Sequence, residues 1–246
     1  MQQRRNCIFC GNPADSKEHL PSDWILKSLP AKRQLIQRIS KGEIRKFSGP
    51  LTIKCVCAGC NNGWMSQLEA SIRPILGSMM HDLSVYLDIS AQRDLSTWSV
   101  KTAMALEGTK PQKAARCYSL PDCAALRLRS SIPSHTRVWI GRFSVSGLLA
   151  HGAEYSLHVG EHPVITHGCV ATIIVGYLAI QILSPYSPAE YNDKVLSIPC
   201  RLGPWNELLI PIWPASGTVM WPPSLSFTND NGPLSYLRLR DRWKPE

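Results

Sequence analysis

Two pairs of cysteines carry the clearest chemical signal in this sequence. Cys7-Ile8-Phe9-Cys10 and Cys57-Ala58-Gly59-Cys60 are both CxxC knuckles. Each knuckle puts two thiols on one tight turn, and two such turns complete a tetrahedral four-sulfur site of the kind that holds Zn²⁺. Gly11 follows the first knuckle and Gly59 lies inside the second, where unusual backbone angles are useful. Cys55 lies two residues before Cys57 and would compete as a ligand. The CxxC spacing favours Cys57 and Cys60, which leaves Cys55 to the preceding strand. A redox role would call for one CxxC in a βαβ setting, which the sequence lacks. Cys117, Cys123, Cys169 and Cys200 show no ligand spacing and are expected to be core thiols.

Three further residues gain meaning from the knuckles. Glu18-His19 stands eight residues after Cys10, and Asn61 directly follows Cys60. A zinc ion tying residue 10 to residue 57 would bring Glu18, His19 and Asn61 to one spot. A carboxylate and an amide oxygen suit a hard cation such as Mg²⁺. An imidazole, with an unperturbed pKa of about 6.5, takes a proton from water near neutrality. The cation would neutralise charge developing on a phosphate. Together these groups match metal-assisted phosphodiester hydrolysis.

The pattern CxxC…EHxP…CxxCN over residues 7–69 resembles the HNH endonucleases of the ββα-metal type, in particular zinc-stabilised members similar to phage endonuclease VII. The resemblance implies a β-hairpin followed by a helix, clasping one Mg or Mn ion. It makes Glu18 and Asn61 the ligands of that ion and His19 the general base. It also makes Cys7, Cys10, Cys57 and Cys60 a structural zinc site, and implies products with 5′-phosphates. The strings CNNGWMSQLE and WSVKTAMALEG resemble bacterial proteins labelled HNH-like. The chain departs from the family pattern twice. Glu18 stands where Asp is usual, and the middle Asn is replaced in its stretch by Thr52 or Lys54.

The charge distribution agrees with a polyanionic partner. The chain of 246 residues has a formal net charge of +9, and residues 1–73 hold 12 Lys/Arg against 5 Asp/Glu. Nucleic acid, with DNA as the expected substrate, is the simplest such partner. Lys32, Arg33, Arg38, Lys41, Arg45 and Lys46 lie in the long insert between the knuckles and are the candidate phosphate contacts. Trp24 and Trp64 are read as packing the small zinc domain, with base stacking as the other role open to them. Glu69 is read as a helix or salt-bridge residue, about 12 Å along the axis from Asn61. The longest apolar run, Cys169 to Leu183, is too short for a membrane span and contains Gln181. The chain opens MQQRRNCIFC without an apolar leader, so a cytoplasmic, reducing setting is expected, with thiols or metal and not a disulfide scaffold.

The elements that must position these groups give an α+β chain in three parts. Residues 1–76 read as the zinc-bound ββα-metal domain, 77–116 as a helical connector, and 117–246 as a β-rich domain. Trp64, Met65, Leu68 and Ile72 form a helical stripe that Pro74 is expected to end or kink. A second helix is expected over Ala91–Glu107, with Ser90 as N-cap and Gly108 as stop. Arg137–Val145, Ala171–Val175 and Leu178–Leu183 read as strands. The last two are either a pair turning near Gly176 or one strand bent there. The Trp-Pro segments 212–214 and 221–223 suit edge strands and rigid loops.

Three functional classes follow. The first is a metal-dependent endonuclease. The second is a catalytically degenerate zinc module that only binds nucleic acid. The third is an assembly subunit whose β-rich part contacts a second copy or a partner protein.

Overall fold

Alternation of buried and open side chains over Ser16–Leu20 makes the first strand, β1, and its partner is found 35 positions later. The computed structural model describes the backbone of residues 5–29, 35–40, 43–48, 51–109, 116–128, 131–134, 136–159, 162–186 and 208–227. After β1 come helix α1 (Asp23–Ser28) and strands β2 (Leu35–Ser40), β3 (Glu43–Ser48) and β4 (Leu51–Val56). β1 and β4 pair antiparallel, with Glu18, His19 and Leu20 opposite Ile53, Thr52 and Leu51. β2 and β3 form a separate hairpin within the insert.

The second knuckle opens a kinked helical run. Helix α2 (Ala58–Cys60) passes through a five-residue π-type stretch, Asn61–Met65, into helix α3 (Ser66–Met80). Gly63 carries the kink, at φ −91° and ψ −113°, outside the helical region. Of the two outcomes expected for Pro74, ending the helix is not what is found: Pro74 lies inside α3. Leu68, Ile72, Leu76, Met79 and Met80 are all buried, and their packing outweighs the hydrogen bond that Pro74 cannot donate.

Strand β5 (Val85–Leu87) leads into helix α4 (Ile89–Leu106). The N-cap is Asp88, whose side chain accepts from the Ala91 N–H, and not Ser90. Pairing of β5 with a later strand stops at Leu87, so the helix starts two residues earlier than its own pattern suggests. From Leu95 to Leu106 every residue of α4 is buried, so it is a central helix and not an amphipathic connector. Helix α5 (Leu120–Arg127) follows, started by a full capping box between Ser119 and Asp122.

The β-rich part is built on two long strands, β6 (Arg137–Val159) and β7 (His162–Tyr186), paired antiparallel along their length. β7 is one strand bent at Gly176, which settles the two alternatives left by the sequence. The other edge of β6 takes β8 (Ile210–Trp213) antiparallel and β10 (Ser226–Phe227) parallel, while β9 (Val219–Trp221) pairs with β5. The Trp-Pro segments thus end short edge strands, as expected. Tyr86 and Met220 are registered partners on β5 and β9, and both are exposed.

One buried apolar cluster runs from Cys7 and Phe9 through α3 and α4 to Ile173, Ile180 and Trp221. The expected boundary at 76/77 falls inside α3, and the expected connector supplies the middle of this shared core. The reason is physical. A 15-residue helix with buried residues along its whole length has to be covered along all of it, and α4, β5 and β7 supply that cover. Cys117 and Cys169, expected as core thiols, form a disulfide between residues 52 apart in sequence, with Cα atoms 5.8 Å apart. Cys123 is a buried free thiol as expected, and Cys200 lies outside the described residues. No helix among the described residues is long and apolar enough to cross a membrane.

Gly176 joins the two parts of the core at close quarters. Its φ is +60°, and a Cβ there would lie 2.1 Å from the Met80 carbonyl oxygen at the end of α3. Gly77, also on α3, has nothing within 4 Å of its would-be Cβ. Gly176→Ala is expected to destabilise the chain by about 3 kcal/mol or more, lowering Tm by about 6–12 °C. Gly77→Ala is expected to leave Tm unchanged or raise it slightly. Equal melting temperatures for the two variants would refute this account of the α3–β7 contact.

Candidate functional site

The four knuckle cysteines meet. The Sγ atoms of Cys7, Cys10, Cys57 and Cys60 all lie within 4.8 Å of one another. A zinc tetrahedron with bonds of about 2.3 Å has sulfur–sulfur edges of about 3.8 Å, and Cys10 Sγ stands 3.5 Å from Cys57 Sγ. The set therefore fits a metal ion such as zinc with small adjustments. Among the described residues it is the one group of three or more His, Cys, Asp or Glu close enough to share an ion.

Local bonds shape each knuckle. The first closes through Gly11 N–H to Cys7 O (2.9 Å) and Cys7 N–H to Asn12 O (2.6 Å), with Gly11 at φ +77°. Ile8 N–H donates to Cys55 O at 3.0 Å, which docks that turn on β4. In the second knuckle the Cys60 N–H donates to Cys57 Sγ, and Ala58 N–H donates to Asp15 Oδ1 at 2.7 Å. Burial raises the Cys57 thiol, but the Cys60 N–H and the neighbouring thiols outweigh it and hold Cys57 low. Cys55 is different: burial, with the Glu18 charge added, pushes it up to about 12. It remains a thiol in β4, outside the sulfur cluster, as the spacing suggests.

Asn61 joins the second knuckle to β1. Its Nδ2 donates to Ser16 Oγ (2.8 Å) and to Lys17 O (3.2 Å). A carbonyl partner requires the NH₂ group on that side, so Oδ1 points the other way and is offered as an acceptor. His19 sits two residues beyond Lys17 on the same strand, half-buried and opposite exposed Thr52. Asp23 at the start of α1 is near enough to respond to His19. Its carboxyl is held below the usual range first by the Lys27 ammonium at 2.6 Å and also by the charge of His19.

Glu18 is placed elsewhere. It is 5% exposed, and its Oε1 accepts from Lys101 Nζ at 3.0 Å. The same ammonium donates to Glu69 Oε1 at 2.9 Å, which also accepts from the Ser22 hydroxyl. Burial alone would push Lys101 down, but Glu18 and Glu69 together push it up further, and it is held above its ordinary value. Glu69 is thus a salt-bridge residue, as its position on the helix suggests. Lys101 carries no local signal, because its partners are 32 and 83 residues away.

The remaining candidates divide. Trp64 packs edge-on against Phe9 with ring centroids 5.0 Å apart, and Trp24 lies under the Arg73 guanidinium at 5.2 Å. Both rings pack against the core. Arg38, Arg45 and Lys46 fall on β2 and β3, with Arg38 in register with Arg45 and Gln37 with Lys46. Lys32, Arg33 and Lys41 lie outside the described residues. No protein family, curated protein or solved structure matches this chain.

Proposed function

We propose that the chain is a zinc-stabilised endonuclease that hydrolyses phosphodiester bonds of nucleic acid, DNA above all, with His19 as general base. One observation carries this reading. The residue after the second zinc knuckle, Asn61, is hydrogen-bonded to the strand that bears His19, so a β-hairpin and a helix start are held together by the sulfur cluster. His19 would accept a proton from the attacking water, and the basic insert, Lys32 to Lys46, would hold the phosphate backbone.

The Mg or Mn ion that the resemblance implies would take Asn61 Oδ1 as a ligand and would neutralise charge on the phosphate. Glu18 does not fit such an ion in the arrangement found, because its Oε1 is buried against Lys101. No catalytic step is routed through that carboxylate.

Burial of Glu18 also favours a second reading, a zinc module that binds nucleic acid without cutting it. A plasmid-nicking assay with and without added Mg²⁺ or Mn²⁺, using the unaltered chain and His19→Ala, decides between them. Nicking lost on His19→Ala supports the nuclease. Salt-sensitive binding with no nicking under any condition supports the binding module.

A further inference from the structure

Strand alternation separates Glu18, an ion ligand by the resemblance, from His19, the base that would act beside that ion. Glu18, His19 and Leu20 pair regularly with β4, and the irregularity in β1 lies earlier, between Ser16 and Glu18. Successive side chains therefore leave opposite faces. Glu18 and Leu20 enter the core beside Ile53, whereas Thr52, opposite His19, is exposed. On the core face, β1, α3 and α4 supply Glu18, Glu69 and Lys101, whose side chains are 6%, 20% and 1% exposed.

Two carboxylates closing on one buried cation are the donors a divalent ion would use. Here the cation is covalently part of the chain. We propose that Lys101 is the fixed cation of this cluster, holding Glu18 and Glu69 in place of a divalent ion, so that Glu18 is an ion-pair residue and not a metal ligand. Two of the three N–H donors of the Lys101 ammonium go to Glu18 and Glu69, and its side chain is 1% exposed. The inference goes beyond the nuclease reading and does not depend on it. It concerns which residue neutralises Glu18, whatever His19 does.

Removing the ammonium would leave the two Oε1 atoms at most 5.9 Å apart, the sum of their 3.0 and 2.9 Å distances to Nζ, with no cation between them. Leaving buried charge uncompensated is costly, so the site should then recruit an ion.

Mn²⁺ binding to the zinc-loaded full chain, read by electron paramagnetic resonance of the free ion, tests this. Glu18→Gln alone is expected to leave Mn²⁺ binding unchanged. Lys101→Met is expected to gain a Mn²⁺ site, and adding Glu18→Gln to it is expected to remove that site. A fall of tenfold or more in Mn²⁺ affinity on Glu18→Gln alone overturns the proposal. So does a folded Lys101→Met chain that gains no Mn²⁺. If Lys101→Met does not fold in metal-free buffer, recovery of its circular dichroism with Mn²⁺ supports the proposal, and no recovery counts against it. Plasmid nicking by the same preparations reports on His19 separately, so failure of the nuclease reading leaves the Mn²⁺ result intact.

Discussion

Cys57→Ser, or removal of zinc by a chelator, is expected to unfold the frame around β1, β4 and α2 while the β6–β7 pair keeps its structure. Structural zinc sites contribute about 10–16 kcal/mol of apparent binding free energy. That is comparable with the whole stability of an ordinary domain, about 5–15 kcal/mol. Here the contribution is concentrated on short elements. β1 has five residues, β4 six and α2 three, and a hairpin that small is marginal by itself. Without the ion, four thiols crowd together at the meeting point of residues 7–10 and 57–60. Cys57 matters twice, because its sulfur both joins the cluster and accepts from the Cys60 N–H that starts the helix.

Amide hydrogen exchange reads the outcome directly. Protection should vanish over Ser16–Leu20 and Leu51–Val56 and persist over Ala171–Leu183. Zinc content should fall in parallel, and binding should weaken as pH falls, because ligation releases thiol protons. Unchanged protection of β1 and β4 in metal-free Cys57→Ser would remove the zinc site from any role in folding.

His19→Ala is expected to lower nicking by about 10²–10⁴-fold, or about 3–5 kcal/mol of transition-state stabilisation. The fall should appear in kcat with little change in KM, since the basic insert and not His19 would hold the nucleic acid. Stability should change by no more than about 0.5 kcal/mol, because His19 is half-buried beside exposed Thr52. Undiminished nicking by a folded His19→Ala chain would sink the nuclease assignment. Asp23→Asn is the informative companion. Asp23 is close enough to His19 to feel its charge, so a nicking defect in that variant would mark it as part of the same site.

What the sequence made legible was what spacing encodes. The knuckles were readable because a CxxC is a local geometry, and Asn61 was readable because it touches the second one. The α+β class was readable from the change of hydrophobic period along the chain. Lys101 was not, because a buried lysine has no periodic signature and its two carboxylates sit on distant elements. Ser90 and Asp88 are both good caps, and the choice between them was made by the end of β5, which local pattern does not contain. That α3 continues past Pro74 was hidden for the same reason: propensity marks the missing hydrogen bond, and only packing against α4 and β7 shows what offsets it. The Cys117–Cys169 pair was hidden because its partners are 52 residues apart and no local spacing links them.

The chain leaves the frame anchored by the four cysteines at Leu20 and returns at Leu51, and these two residues face each other across β1 and β4. Everything between them is an excursion with fixed ends. α1 is still tied in, through buried Ile25 and Leu26 and through Ser22 on Glu69. The β2–β3 hairpin that follows closes on itself by its own register. Lengthening such an excursion twofold costs only about 0.6 kcal/mol in closure entropy. The hairpin is therefore tolerant of changes in length, apart from the side of β2 that lies against β6. If the nuclease proposal holds, its length and charge would set which nucleic acid is engaged, while the paired ends keep His19 in register. Under that proposal, grafting a different ribbon between residues 30 and 50 is the direct test of whether the insert sets selectivity.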